Sequence, residues 1–195
     1  MKLRRLALSA PFAALLLAGC GVNAIPTAEE NAKAKWADVE NQYQRRADLI
    51  PNLVATVKGY ATHEQDTLTA VVDARAKATQ VTVNAGDLTD PDKMKQFQDA
   101  QNSLSGALGK LLSVQEAYPQ LQADQNFLAL QSQLEGTENR IAVARKDYID
   151  AVRAYNVALR TFPSVIWAST FFSSSKPMAE FTATDDAQTA PKVKF

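Results

Sequence analysis

Residues 91–118 read PDKMKQFQDAQNSLSGALGKLLSVQEAY, and their spacing decides the fold. Met94, Phe97, Gln101, Leu104, Leu108, Leu111, Gln115 and Tyr118 fall three or four apart. That interval places them on one stripe of a helix, in a heptad-like, coiled-coil pattern. Thr89 or Asp90 is expected to cap this helix. Pro91 then stands at or near its first position, where a missing N–H costs nothing. The helix is expected to end at Tyr118-Pro119.

The same period extends on both sides. Upstream, Trp36, Val39, Tyr43, Ala47, Ile50, Val54, Val57, Ala61, Leu68, Val71 and Arg75 form a stripe, with His63 or Glu64 filling one gap. Thr27 is the expected N-cap, with Glu29 and Glu30 suited to the positive end of the helix. Pro51 interrupts this stripe chemically, because it removes a backbone donor and crowds the carbonyl four residues back. The phase nevertheless passes Pro51 without a slip. Either one helix is kinked there or two helices meet there. Downstream, residues 81–89 make a connection, with Asn84-Ala85-Gly86-Asp87 as turn material. Asp124 is expected to cap a last helix carrying Phe127, Leu130, Leu134, Ile141, Ala144, Tyr148, Val152, Tyr155, Leu159 and Phe162, which Pro163 stops.

Short connections between long amphipathic helices make antiparallel neighbours. The predicted fold is all-α: an antiparallel up-and-down helical bundle of three long or four shorter helices, spanning residues 28–163. The segment 164–195 differs. It holds the apolar Val165-Ile166-Trp167 and Phe171-Phe172, a Ser173-Ser174-Ser175 break, and isolated Phe181, Val193 and Phe195. We expect it to be partly docked or flexible. Its first cluster folds back on the bundle or touches a membrane interface or partner.

The first twenty residues carry a different message. Lys2, Arg4 and Arg5 precede the apolar run Phe12-Ala13-Ala14-Leu15-Leu16-Leu17, followed by Leu17-Ala18-Gly19-Cys20. A basic start, a short apolar stretch and small residues at a cleavage point make a secretory signal. The last four residues resemble the lipobox of bacterial lipoproteins. That resemblance implies that residues 1–19 are a signal peptide and that Cys20, the single cysteine, is the lipidated first residue of the mature chain, bearing diacylglyceryl and palmitate-type acyl groups. Residues 20–27 would be a tether. Gly21 follows the cysteine in place of the Asp that often retains lipoproteins in the inner membrane. The expected placement is therefore the outer membrane facing the periplasm in a cell that has one, and otherwise the outer face of the cytoplasmic membrane.

Removing Lys2, Arg4 and Arg5 from the 21 basic residues leaves 18 against 21 acidic ones, a net charge of −3. That argues against a nucleic-acid binder, which would carry a basic surface. With Cys20 acylated, no thiol remains for a disulfide, so the domain must be held by core packing.

From Trp36 onward the chain resembles the LemA family. The resemblance rests on Trp36, on Val39 through Val54 (VENQYQRRADLIPNLV), on Val57-Lys58-Gly59-Tyr60-Ala61 with His63-Glu64, and on Ala74-Arg75-Ala76. It continues at Gln133 through Arg145 (QLEGTENRIAVAR), at Tyr155-Asn156 and at Arg160-Thr161-Phe162-Pro163. It implies a bacterial envelope protein with a helical bundle, anchored at its N-terminus, in a family linked to membrane organisation. It implies no known reaction.

The residues agree with a non-enzymatic reading. A di-iron bundle needs Glu-x-x-His on two helices, and the chain has a single histidine, His63. No zinc cluster, phosphate loop or dinucleotide fingerprint is present, so no metal, cofactor or catalytic residue is expected. Charges beside the apolar stripes suggest a partly buried structural network joining Arg45 or Arg46 to Glu135 or Glu138, and Glu40 to Arg140 or Arg145. Charges at a core edge must be paired, or their desolvation is uncompensated. The expected function is a membrane-tethered envelope scaffold or binding protein with an unidentified protein partner. The alternatives are an envelope hydrolase using the segment Glu135–Arg145, or a helical sensor working with a membrane protease. Oligomeric state is not legible in the sequence.

Overall fold

The computed structural model describes residues 21–182, and Cys20, the signal segment, Val193 and Phe195 lie outside them. Among the described residues all regular secondary structure is helical and no strand is present. Helix α1 spans Ala24–Tyr60, α2 Gln65–Gln80, α3 Pro91–Ser113, α4 Pro119–Gln122, α5 Gln125–Ala158 and α6 Ser164–Thr170. Short 3-10 turns occupy Ala85–Asp87 and Val114–Ala117. This is the all-α bundle architecture that the 3–4 spacing predicts.

Local chemistry sets the boundaries. Asp90 caps α3, its Oδ1 accepting from the backbone N–H of Asp92 (3.0 Å) and Lys93 (3.2 Å). Pro91 occupies the first helical position. Asp124 caps α5, accepting from Phe127 N–H at 2.8 Å, while its other oxygen accepts from Tyr60 Oη at 2.9 Å. The backbone bond first, and the Tyr60 hydroxyl second, hold the Asp124 carboxyl below its ordinary range. Three expectations need correction. Helix α1 starts at Ala24 with Ile25 fully buried, so Thr27 lies inside it and residues 24–27 are helix. The upstream stripe breaks between Tyr60 and Gln65, so His63 sits in an exposed turn, not on a helix. Finally, α5 ends at Ala158 and Phe162 is 80% exposed, not on the core stripe. Proline disfavours the helical conformation in the residue before it, and Phe162 precedes Pro163.

The chain divides into two compact units. The first comprises residues 21–45 and Thr137–Met178, and the second Arg46–Gly136 with residues 179–182. In the first unit Trp36 and Tyr148 are fully buried, their rings meeting edge-on at 5.2 Å. Ile25, Val39, Ile141, Val152 and Tyr155 are buried in the same unit. The end of this unit is strapped down by its own backbone. Asn156 donates from Nδ2 to Met178 O (3.0 Å) and accepts from Met178 N–H (2.9 Å), and Tyr155 Oη donates to Lys176 O (3.1 Å).

The second unit packs α2 against α3 around Ile50, Leu53, Val57, Leu68, Val71, Leu104, Leu108, Leu111, Leu121, Phe127 and Leu134. Residues 179–182 dock here: Ala179 N–H donates to Leu88 O at 2.7 Å, and the Gln98 amide exchanges bonds with the Thr182 backbone.

Helix α1 passes through Pro51 unbroken. A proline at 51 leaves the carbonyl of Ala47 without its helical donor. Arg75, on α2, fills the vacancy: its Nε donates to Ala47 O at 2.8 Å. Thus Arg75, though polar, belongs on the stripe where its spacing places it. Arg75→Met should cost about 1–2 kcal/mol, the penalty of a stranded carbonyl. In a Pro51→Ala background, where the restored backbone N–H at position 51 can serve Ala47, the same substitution should cost clearly less. Denaturant melts of the four proteins measure the coupling, and equal costs in both backgrounds would refute the role.

Candidate functional site

Three features carry the polar and exposed chemistry of the described residues. The first is Arg46, whose side chain is only 1% exposed. Its Nη1 donates to Ser105 Oγ (2.8 Å), and its Nη2 to Gln101 Oε1 (2.6 Å) and Gln101 O (3.2 Å). Gln101 in turn donates from Nε2 to Ala78 O at 3.2 Å. A planar guanidinium with a fixed fork of donors suits this task better than a lysine would. The cluster ties α1, α2 and α3 of the second unit together through polar bonds inside an apolar core. Gln101, a polar residue at a stripe position, is thereby explained.

The seven residues of the predicted charge network lie on α1 and α5. Glu40 stands on α1. It accepts from the indole N–H of Trp36, one turn earlier on α1, and burial raises its carboxyl above the ordinary range while that bond lowers it. A buried indole N–H needs an acceptor, and side chains four positions apart share one face of a helix. Arg45, Glu135 and Arg140 are exposed, and Glu135 accepts from Gln131 at 3.1 Å. Glu138 is exposed and Arg145 half-buried.

The second feature is a shallow cavity of about 350 Å³ in the first unit, lined by Asp38, Gln42, Asn139, Arg140, Val143, Ala144 and Asp147. Lys35 reaches Asp38 at 3.3 Å and Asp147 at 4.0 Å across its rim. These are exposed ion pairs, each worth little. Among the described residues no group of three or more His, Cys, Asp or Glu is placed to hold a metal ion.

The third feature is apolar and faces solvent. Phe162 is 80% exposed, Phe171 74% and Ile166 49%, all within one ten-residue turn and helix around α6. Trp167, half-buried, stacks at a tilt on Phe171 with centroids 5.7 Å apart. The same segment receives the start of the described chain. Gly21 is buried, and a Cβ placed on it would lie 3.2 Å from Pro163 Cγ and 3.5 Å from Trp167 Nε1. Glycine is the residue that permits so close an approach. Sequence reasoning flagged Trp167 and Phe171 but missed this contact, because its partners lie at opposite ends of the chain. Among the described residues no helix is long and apolar enough to cross a membrane.

Comparison with known proteins gives the family. The model of the LemA family matches residues 35–195. The chain is 27% identical over 175 residues to the magnetosome proteins MamQ 1 and MamQ 2 of Paramagnetospirillum magneticum, covering 82% of this chain and 63% of theirs. It is 28% identical over 157 residues to the magnetosome protein MamQ of Magnetospirillum gryphiswaldense, covering 72% of this chain and 58% of that protein. It therefore spans less than two thirds of the length of these relatives. A family match over most of its length, on the helices and polar cluster described above, leaves one conclusion: the chain belongs to the LemA family.

Proposed function

We propose that this chain is a lipid-anchored scaffold of the bacterial cell envelope, non-enzymatic, acting in membrane organisation through its bundle surface. The carrying observation is the exposed apolar segment around Phe162, Ile166 and Phe171, the kind of surface that marks a protein or membrane contact. The lipobox-like Leu17-Ala18-Gly19-Cys20 supports the anchor. The relatives' names support the scaffold role, since they refer to a structure, the magnetosome, and not to a reaction. The lipid on Cys20 would set the membrane at which the bundle meets its protein partner.

Metabolic labelling with a palmitate analogue and intact mass of the detergent-extracted protein test the anchor together. The wild type should take up label and begin at an acylated Cys20, and Cys20→Ser should take up none. An unlabelled wild type refutes the lipoprotein reading. Crosslinking in intact cells then identifies the partner of the labelled protein.

A further inference from the structure

We propose that the segment around α6 is a second membrane contact, seated on the bilayer surface beside the lipid, so that the first unit is held in one orientation and does not swing on its anchor. The proposal rests on the lipoprotein reading and goes beyond it: the lipid supplies attachment, and this face supplies orientation.

Three observations point to a bilayer as the occupant. The first is position. Gly21 packs against Pro163 and Trp167, and the residue one peptide bond before it is Cys20, the expected lipid carrier. On the lipoprotein reading, the acyl chains would be attached one residue away from this contact. The second is the character of the surface. Phe162 and Phe171 are largely exposed and Ile166 is half-exposed, while Trp167 presents an indole beside them. Large apolar side chains bordered by a tryptophan and by hydroxyls suit the boundary between headgroups and acyl chains. The third is charge. From Leu159 to Ala179 the chain holds two cations, Arg160 and Lys176, and no carboxylate, although the chain from Cys20 onward is acidic overall. Both cations are exposed. A local excess of positive charge on an acidic protein favours anionic phospholipid.

The energetics need not be large. A tethered face is confined near the membrane at an effective concentration in roughly the millimolar range, so even a weak contact is populated. That is why so short an apolar segment suffices here, when it would not hold an untethered protein.

The experiment places a dye on this face. Once Cys20 is acylated, Ile166→Cys carries the one reactive thiol, and an environment-sensitive fluorophore attached there reports its depth. The full lipidated protein is reconstituted into vesicles of phosphatidylethanolamine and phosphatidylglycerol containing a spin-labelled quencher lipid. Val143→Cys, 60% exposed in the same unit, serves as the comparison site. Quenching at 166 should exceed that at 143 by about threefold. Adding Phe162→Ser and Phe171→Ser should remove the excess without changing palmitate labelling. Equal quenching at 166 and 143 in a labelled protein overturns the proposal while leaving the lipoprotein reading intact. So does quenching that survives both serine substitutions, since the tether alone would then account for it. Burial of the dye only when envelope proteins are added overturns it in favour of a protein occupant. An unlabelled wild type removes the lipoprotein reading and this proposal with it.

Discussion

Replacing Arg46 by alanine should lower the stability of the protein by about 3 kcal/mol, a loss made of its hydrogen bonds and of the polar groups left stranded behind it. For a chain of this size that corresponds to a fall in melting temperature of about 6–12 °C. The guanidinium is fully buried and serves Ser105 and both oxygens of Gln101. Without it, Gln101 Oε1 has no donor inside the core. Arg46→Lys should recover little, because an ammonium cannot reach Ser105 and Gln101 at once in the geometry of a planar fork. Arg46→Met combined with Gln101→Leu should recover more, since removing both partners avoids the stranded acceptor. Thermal melts of these variants beside the wild type decide the matter; full stability in Arg46→Ala would show that the cluster contributes nothing. Glu138→Gln in the same series tests the structural charge network expected from the sequence, which is sunk if that variant melts as the wild type does.

Trp36→Ala should cost about 3–5 kcal/mol, the range for deleting a large buried aromatic. Trp36 is 1% exposed and meets the Tyr148 ring edge-on at 5.2 Å, so the substitution leaves a cavity and removes that ring contact. Trp36→Phe separates volume from polarity. It keeps most of the packing but deletes the donor to Glu40, so it should cost about 1 kcal/mol. Glu40, whose carboxyl is already raised by burial, should move further up in Trp36→Phe, because the bond that lowers it is gone. A carboxyl titration followed by NMR reads that shift, and an unchanged Glu40 would mean the indole is not its partner.

The reach of sequence reasoning here followed the range of each interaction. The α3 stripe, its Asp90 cap and Pro91 were legible because helix periodicity and capping are local. Asp124 was legible for the same reason. Arg46 and Gln101 were each visible as polar residues at or beside a stripe, but their bond joins positions 55 apart and no spacing rule connects them. The bond to Glu40 has the opposite origin. A remote arginine was expected, when the acceptor's donor stood one turn away on the same helix. Pro51 left two readings open because its backbone penalty depends on whether some other group serves Ala47. Only the packed structure shows that Arg75 does. The Gly21 contact with Pro163 and Trp167 was invisible, since its partners lie more than a hundred positions apart in the chain.

The bond from Arg75 to Ala47 has a consequence for the order in which the protein forms. During synthesis, α1 is complete before residue 75 has been added to the chain. Until then the stretch around Ala47 and Pro51 has a backbone oxygen that only water can satisfy. A helix in water draws most of its stability from packing, so this stretch is the least able to stand alone. The proline thus acts as a latch that waits for its key. The middle of α1 becomes secure only when α2 has been made and has docked, and the two helices mature as a pair.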